Sequence, residues 1–167
     1  AAFVHPYDGI RKELTVEAVR LIIKNIKNKE TVSIGELVDE RVIINAMAAL
    51  LATGGSTNHL IHWVAIARAA GIIIDWSDFH DLAKSVPLLA SIYPNGKADV
   101  NDFQKAGGPA FVIRELIQGG CMYPDVVTIS YGGLADYTKS PILAKEKLSW
   151  KDLPAKSGDD SIIRSFD

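Results

Sequence analysis

Two long apolar stretches meet at a pair of glycines, and that junction constrains the fold more than any other feature of the sequence. Residues 40–52 are apolar almost all round, with Val42, Ile43, Ala46, Met47, Leu50 and Leu51 covering more than one face. A helix of that kind is buried on most sides. Gly54-Gly55 stops it, because glycine adopts the left-handed backbone of a helix C-cap without steric cost. Ser56 stands where an N-cap belongs, and a second apolar helix follows and ends at Gly71. Neither run is a membrane span. Val42–Ala52 is broken by Asn45, Leu60–Ile74 carries His62 and Arg68, and both fall short of the roughly 20 apolar residues a bilayer requires.

Around this pair, hydrophobic period and turn residues set out the remaining elements. Residues 1–13 read as an extended lead-in with Pro6 and Gly9 as breakers. Thr15 is placed to cap a surface helix whose Val19, Ile22, Ile23 and Ile26 form one stripe, with Arg20, Lys24 and Lys27 on the opposite side. Ser33-Ile34-Gly35-Glu36 matches a capping box and predicts a short helical turn. The β-branched run Ile72-Ile73-Ile74 predicts a buried strand, and Val126–Ser130 a second one. Between them, Ser77 begins a helix ended by Pro87, and Pro94-Asn95-Gly96 is a turn. Val100–Ala106 is a short helix ended by Gly107-Gly108, and Pro109 opens another that runs to Gly119-Gly120. Beyond Gly132-Gly133 the pattern weakens, and 155–167 is a polar, irregular tail. The fold class is therefore helix-rich α/β with two or three short strands, and 1–167 reads as a single segment. So thin a sheet suggests partner strands elsewhere.

Composition narrows the function classes. With 48% apolar and 23% charged positions, the 167 residues suit an ordinary globular unit rather than a disordered chain. Eighteen basic against twenty acidic side chains give a net charge of −2, so no basic excess marks sequence-independent nucleic-acid binding. One cysteine, Cys121, builds neither an internal disulfide nor a multi-thiolate metal site, and a reducing, cytoplasmic setting is expected. The opening Ala1-Ala2-Phe3-Val4 has no basic n-region with an apolar h-region behind it, so no signal peptide is expected. It also has no initiator methionine, which fits processing or a piece cut from something longer.

The chemistry-bearing candidate is Thr53-Gly54-Gly55-Ser56-Thr57-Asn58-His59. The first N–H groups of a helix have no partners within it and carry the positive end of its dipole. Glycines before them permit close approach of another group. Ser56, Thr57 and Asn58 add short donors, so Gly54, Gly55, Ser56, Thr57, Asn58 and His59 can line a pocket for a phosphate or carboxylate. A glycine C-cap followed by a serine N-cap, with no ligand, explains the same residues. No Gly-Lys-Ser/Thr follows at Walker spacing. His59 and His62 share a helix face without the intervening glutamate of a zinc hydrolase, so packing is the plainer role. Lys97, Asp99, Asn101 and Asp102 around Gly96 are candidates for polar-ligand contact, although turns are routinely rich in such residues. His80 among Asp75, Asp78 and Asp81 reads as a solvated face, as do Arg114 and Glu115. Cys121 reads as a small buried hydrophobe.

The run Ala48-Ala49-Leu50-Leu51-Ala52-Thr53-Gly54-Gly55-Ser56-Thr57-Asn58-His59 resembles the dihydroxy-acid / 6-phosphogluconate dehydratase family, in which Gly-Gly-Ser-Thr-Asn is a signature. The resemblance continues through Ala65–Ile72, Asp75–Phe79, Val86–Ala90, Ile92–Asn101, Ala106-Gly107-Gly108, Ile113–Leu116 and Tyr137, nearly the whole chain. Tyr93-Pro94-Asn95-Gly96-Lys97-Ala98-Asp99-Val100-Asn101 and the histidine after Asn58 look like the 6-phosphogluconate branch rather than the branched-chain dihydroxy-acid branch.

The resemblance implies an internal fragment of a larger αβα N-terminal domain. The parent it implies is a cytoplasmic homodimeric hydro-lyase of the Entner-Doudoroff pathway, dehydrating a phosphorylated sugar acid. It further implies an iron–sulfur cluster, 4Fe-4S, and magnesium, with ligands and the serine base outside these residues. The segment alone then has no catalytic residue, no metal ligand and no activity. Other readings are a dehydratase of the same family with another sugar-acid or dihydroxy-acid substrate, a non-catalytic sugar-phosphate binding module, and a docking domain.

Overall fold

In the computed structural model, which describes residues 2–129, 132–145 and 147–166, the apolar stretch at 40–52 is the central helix. Seven helices are described: α1 (Gly9–Asn28), α2 (Ile34–Leu37), α3 (Glu40–Thr53), α4 (Thr57–Ala69), α5 (Trp76–Leu82), α6 (Val100–Ala106) and α7 (Gly108–Gln118). A 3-10 turn at Leu134–Thr138 leads into an antiparallel hairpin of β1 (Lys139–Ala144) and β2 (Lys147–Asp152), in register from Lys139 opposite Asp152 to Ala144 opposite Lys147. The helix-rich class with few short strands holds.

Two apolar clusters meet on α3. Ala48 and Ala52 face Phe103 and Ala106 of α6, Phe111, Val112 and Leu116 of α7, and Leu89, Ala90 and Ile163. Ile43, Met47 and Leu50 face Ala67 of α4 and Phe79 of α5. Small residues on one side of α3 let α7 approach, which is why the almost all-apolar stretch can serve two cores. Asn45, the polar break in that stretch, is buried. Its side chain pairs with both backbone groups of Tyr123, donating to the carbonyl at 2.9 Å and accepting from the N–H at 2.8 Å. A satisfied amide of this kind removes the cost of its burial.

Capping chemistry explains most helix starts. Asp39 accepts from Val42 N–H at 2.8 Å, and Ser33 with Glu36 closes a full capping box. α5 begins one residue earlier than Ser77 suggested, because Asp75 is the N-cap and completes a box with Asp78. It ends at Leu82, before Pro87, and Ser85 and Val86 continue as hydrogen-bonded turns. α6 and α7 run as the glycine and proline punctuation predicted. The lead-in is a correction. Asp8 accepts from Ile10 N–H, so α1 starts at Gly9, and Thr15 lies inside it, donating its hydroxyl to the Arg11 carbonyl. The Val19, Ile22, Ile23 and Ile26 stripe is exposed along its length, between 47% and 60%.

Neither predicted strand forms among the described residues. Ile72–Ile74 forms no strand; Ile72 and Ile74 lie against the second cluster, but Ile73 is 85% exposed and no described strand pairs with the run. Val126–Ile129 likewise alternates, Val126 and Thr128 buried, Val127 and Ile129 outward; the last residue of that predicted strand, Ser130, lies outside the described residues. Strand propensity describes fit to a pleated surface, and it yields a strand only where a neighbouring ladder is supplied. The described strands lie instead in the stretch where the sequence signal had weakened.

The tail is irregular as read, yet anchored. Ile163 is fully buried, Ser91 N–H donates to Ile162, and Arg164 N–H donates to Leu89. Arg114 and Glu115 are not a solvated face. Glu115 is 5% exposed and ion-pairs with Arg114 at 2.9 Å, while its other oxygen accepts from Phe166 N–H at 2.8 Å. Arg114 donates to the carbonyls of Pro154 and Ala155, at 2.7 and 3.0 Å. Together they clasp the tail onto α7.

Candidate functional site

The junction between α3 and α4 is built by its glycines. Gly54 is the C-cap of α3 in the left-handed region, φ +63° and ψ 45°, a conformation that costs a side-chain-bearing residue roughly 1–2 kcal/mol. Its N–H closes onto Leu50 and Leu51 carbonyls, and Gly55 N–H donates to Leu50 at 3.1 Å. A Cβ at Gly55 would stand 1.9 Å from Cδ1 of the buried Leu50, so this position is glycine because the chain passes directly over the core.

Ser56 adopts the extended N-cap backbone of α4, φ −79° and ψ 158°, but its hydroxyl makes no capping hydrogen bond. The sequence placed the cap correctly and the structure leaves the cap side chain free of that duty. Gly55, Ser56, Thr57, Asn58 and His59 are all exposed, so the positive end of α4 opens to solvent. The His59 ring stacks on Trp63 with centroids 6.0 Å apart and planes at 24°, and its Nδ1 lies 3.2 Å from the Cβ position of Gly55. His62, on the next turn, is exposed.

A second turn, 41 residues further on, meets the first. Leu89 and Ala90 N–H both donate to the Ala52 carbonyl, at 2.8 and 2.9 Å, which seats segment 88–90 on the end of α3. From there Ile92 and Ala98 form an isolated parallel bridge, Tyr93 N–H donates to Ala98 at 2.9 Å, and Gly96 N–H to Ile92 at 2.8 Å. Tyr93-Pro94 is a cis peptide. Asn95, at the tip, donates its side-chain amide to the Gly54 carbonyl. The other polar residues of this stretch divide by role. Asp99 caps α6, accepting from Asn101 and Asp102 N–H, and the Asp102 amide contributes most to holding its carboxyl below the usual range. Asp102 pairs with Lys105 at 3.5 Å. Lys97 is exposed.

Cys121 is half-buried, its thiol 3.5 Å from the Ser85 carbonyl, and burial pushes its pKa up. That is the setting of an inert thiol. Among the described residues no group of three or more His, Cys, Asp or Glu side chains is arranged to hold a metal ion. No described helix is long and apolar enough to cross a membrane.

The arrangement is thus an exposed helix N-terminus opened by two sterically required glycines, with a second turn bonded to it from the side. Comparison with known proteins gives it a context. The chain is 48% identical to a phosphogluconate dehydratase of Escherichia coli strain K12 over its full length, covering 28% of that protein. It is 49% identical to the phosphogluconate dehydratase of Zymomonas mobilis, over 98% of this chain and 27% of that one. A dihydroxy-acid dehydratase of Janthinobacterium is 38% identical over 68% of this chain. The chain therefore spans little more than a quarter of the length of the curated relatives it matches throughout. Residues 1–137 match the family described as dihydroxy-acid/6-phosphogluconate dehydratase N-terminal, and the chain belongs to that family.

Proposed function

We propose that this chain is one segment of the N-terminal domain of a 6-phosphogluconate dehydratase, and that Gly54, Gly55, Ser56, Thr57, Asn58 and His59 line the pocket that receives an anionic group of the substrate. In that reaction the hydrogen α to the carboxylate leaves as a proton and the neighbouring hydroxyl leaves with it as water. The resulting enol ketonises to 2-dehydro-3-deoxy-6-phosphogluconate. The substrate carries two anions, a carboxylate and a phosphate. The α4 N-terminus offers what either needs: backbone N–H groups without helical acceptors, a dipole end, and the Ser56 hydroxyl not engaged in capping. That uncapped, solvent-facing start of α4 is the observation that carries the site reading. The phosphorylated substrate rests on relatives of that name matching across the whole chain at 40–49% identity. A dihydroxy-acid substrate is the second reading, favoured by the partial match to a protein of that name.

An iron–sulfur cluster and magnesium, implied by the family resemblance, do not fit the residues present. The one cysteine is half-buried and pushed toward its protonated form, and no described cluster of ligands exists. Their ligands, and the proton-abstracting base, are proposed to lie in other parts of a longer polypeptide that acts as a cytoplasmic homodimer. The role left to these residues is to bind and orient.

The test is Ser56→Asp in the full-length dehydratase carrying this segment. Aspartate is a good N-cap, so folding is retained or improved, while its carboxylate opposes an incoming anion. The expected result is a KM for 6-phosphogluconate raised about tenfold or more, since one like charge a few Å away opposes binding by well over 1 kcal/mol. An unchanged KM would remove the anion from this site.

A further inference from the structure

We infer that the outward apolar stripe of α1 is an internal interface of the longer polypeptide, covered by an apolar element outside residues 1–167 whose border is acidic; this rests on the segment reading above and not on the anion site. α1 presents aliphatic side chains on two sides. Leu14 and Leu21, two turns apart, are half-buried, and one turn beyond Leu21 the Asn25 amide donates to the Ile129 carbonyl at 3.2 Å. That side faces the fold. Val19, Ile22, Ile23 and Ile26 lie at least about 100° from Leu21 around the helix axis, and each is 47–60% exposed. None of the 20 residues of α1 is buried. Aliphatic residues scattered singly over a surface need no explanation, but four on one stripe within about two turns mark a contact surface. A helix apolar on two sides is suited to lie between two layers, and here it has one.

The stripe continues into a concave seat. Ile22 and Ile26 also line a groove of about 290 Å³, together with Ala18, Leu21, Val32 and Ile129. Along the edge of the stripe Arg20, Lys24 and Lys27 are exposed, with Arg20 meeting Glu17 at 3.7 Å. A covering surface with carboxylates on its border complements that edge. The relatives that match this chain throughout extend well beyond it, the matched part being 27–28% of their length, so most of such a polypeptide lies outside these residues. Chain that is covalently tethered stands at a far higher effective concentration than a separate molecule. An intrachain neighbour is therefore favoured over a second copy.

The experiment places Ile22→Cys and Ile26→Cys, one at a time, in the full-length polypeptide. Labelling by a maleimide is read on the tryptic peptide carrying each site, in native buffer and in urea. Native labelling at both sites is expected to be slower than in urea by about tenfold or more, because a covered thiol reacts only through local opening. That ratio should not change on dilution. Native labelling within about twofold of the urea rate would show a site that needs no opening to react, and would overturn the inference. Protection lost on dilution, as the protein dissociates to monomers, would assign the face to a second copy and overturn it equally. If a variant fails to fold, hydroxyl-radical oxidation of the unsubstituted polypeptide reads the same two side chains with the same expectations. Turnover of 6-phosphogluconate is scored separately on the unsubstituted enzyme. Protection without turnover leaves this interface standing and sinks the substrate reading, and turnover with rapid labelling does the reverse.

Discussion

Replacing Glu115 with alanine should release the C-terminal tail, and the size of the effect follows from the contacts the carboxylate makes. One oxygen takes two N–H groups of Arg114, at 2.9 and 3.1 Å, and the other takes Phe166 N–H at 2.8 Å. Breaking a buried ion pair by removing one partner costs about 3–5 kcal/mol when the survivor is stranded. Arg114 is not fully stranded. Its side chain keeps 16% exposure, the carbonyls of Pro154 and Ala155, and a stacked position over Phe111 at 4.4 Å. That lowers the Arg114 share to about 1–2 kcal/mol, and the orphaned Phe166 amide adds about 1 kcal/mol. A total of about 2–3 kcal/mol is expected from urea unfolding of this chain. Tryptic cleavage after Lys156 should accelerate, because the clasp holds the residues on both sides of that bond. Glu115→Gln should fall between, since an amide has one oxygen for two sets of donors. A Glu115→Ala variant within about 0.5 kcal/mol of the parent, cleaved at the parent's rate, would refute the clasp.

Three further outcomes follow from the same geometry. Phe111, on α7, is fully buried in the cluster it shares with Phe103 and Ala106 of α6, so Phe111→Ala should lower stability by about 3–5 kcal/mol in the same assay. The carboxyls of Glu36, Asp75, Asp99 and Asp159 are all held below their usual range. Hydrogen bonds from Ser33, Ser77, Asp102 and Ser161 are the leading causes in turn. Groups with depressed folded values stabilise the fold above their ordinary titration and lose that contribution as pH falls through it. The urea midpoint should therefore be flat down to about pH 5 and decline below the ordinary values of 3.8 to 4.5. Cys121 should react with a disulfide reagent at about pH 8 more slowly than a free thiol, because burial raises its pKa, and a rate equal to free cysteine would contradict that placement.

Elements specified by neighbouring residues were legible in the sequence. α3 ends at Gly54, α6 and α7 follow their glycine and proline marks, and Ser33 with Glu36 forms its box, because each depends on contacts within a few residues. What depended on distant partners was not. Ile72–Ile74 has the composition of a strand, but pairing is a property of a neighbour, and no described residue supplies one. The hairpin at 139–152 carried only a faint alternation, Leu148 and Trp150 between polar residues, and its register exists because the two halves face each other. Arg114 and Glu115 look like a surface pair until the tail folds back on them.

The candidate site divides the same way. Both turns were visible as glycine-containing motifs, and the N-cap position of Ser56 was readable. Their junction through Asn95 and Gly54 was not, since nothing local in either motif points to the other. The unused Ser56 hydroxyl is likewise a fact of rotamer and geometry rather than of residue type.

The proposed assignment of these residues to a dehydratase for a phosphorylated sugar acid is tested most directly by an anaerobic turnover assay. The full-length polypeptide carrying this segment would be offered 6-phosphogluconate and 2,3-dihydroxyisovalerate side by side. Water elimination from 6-phosphogluconate, with clear preference over the dihydroxy acid, is the expected result. Preference for 2,3-dihydroxyisovalerate, or no turnover of either, would contradict it.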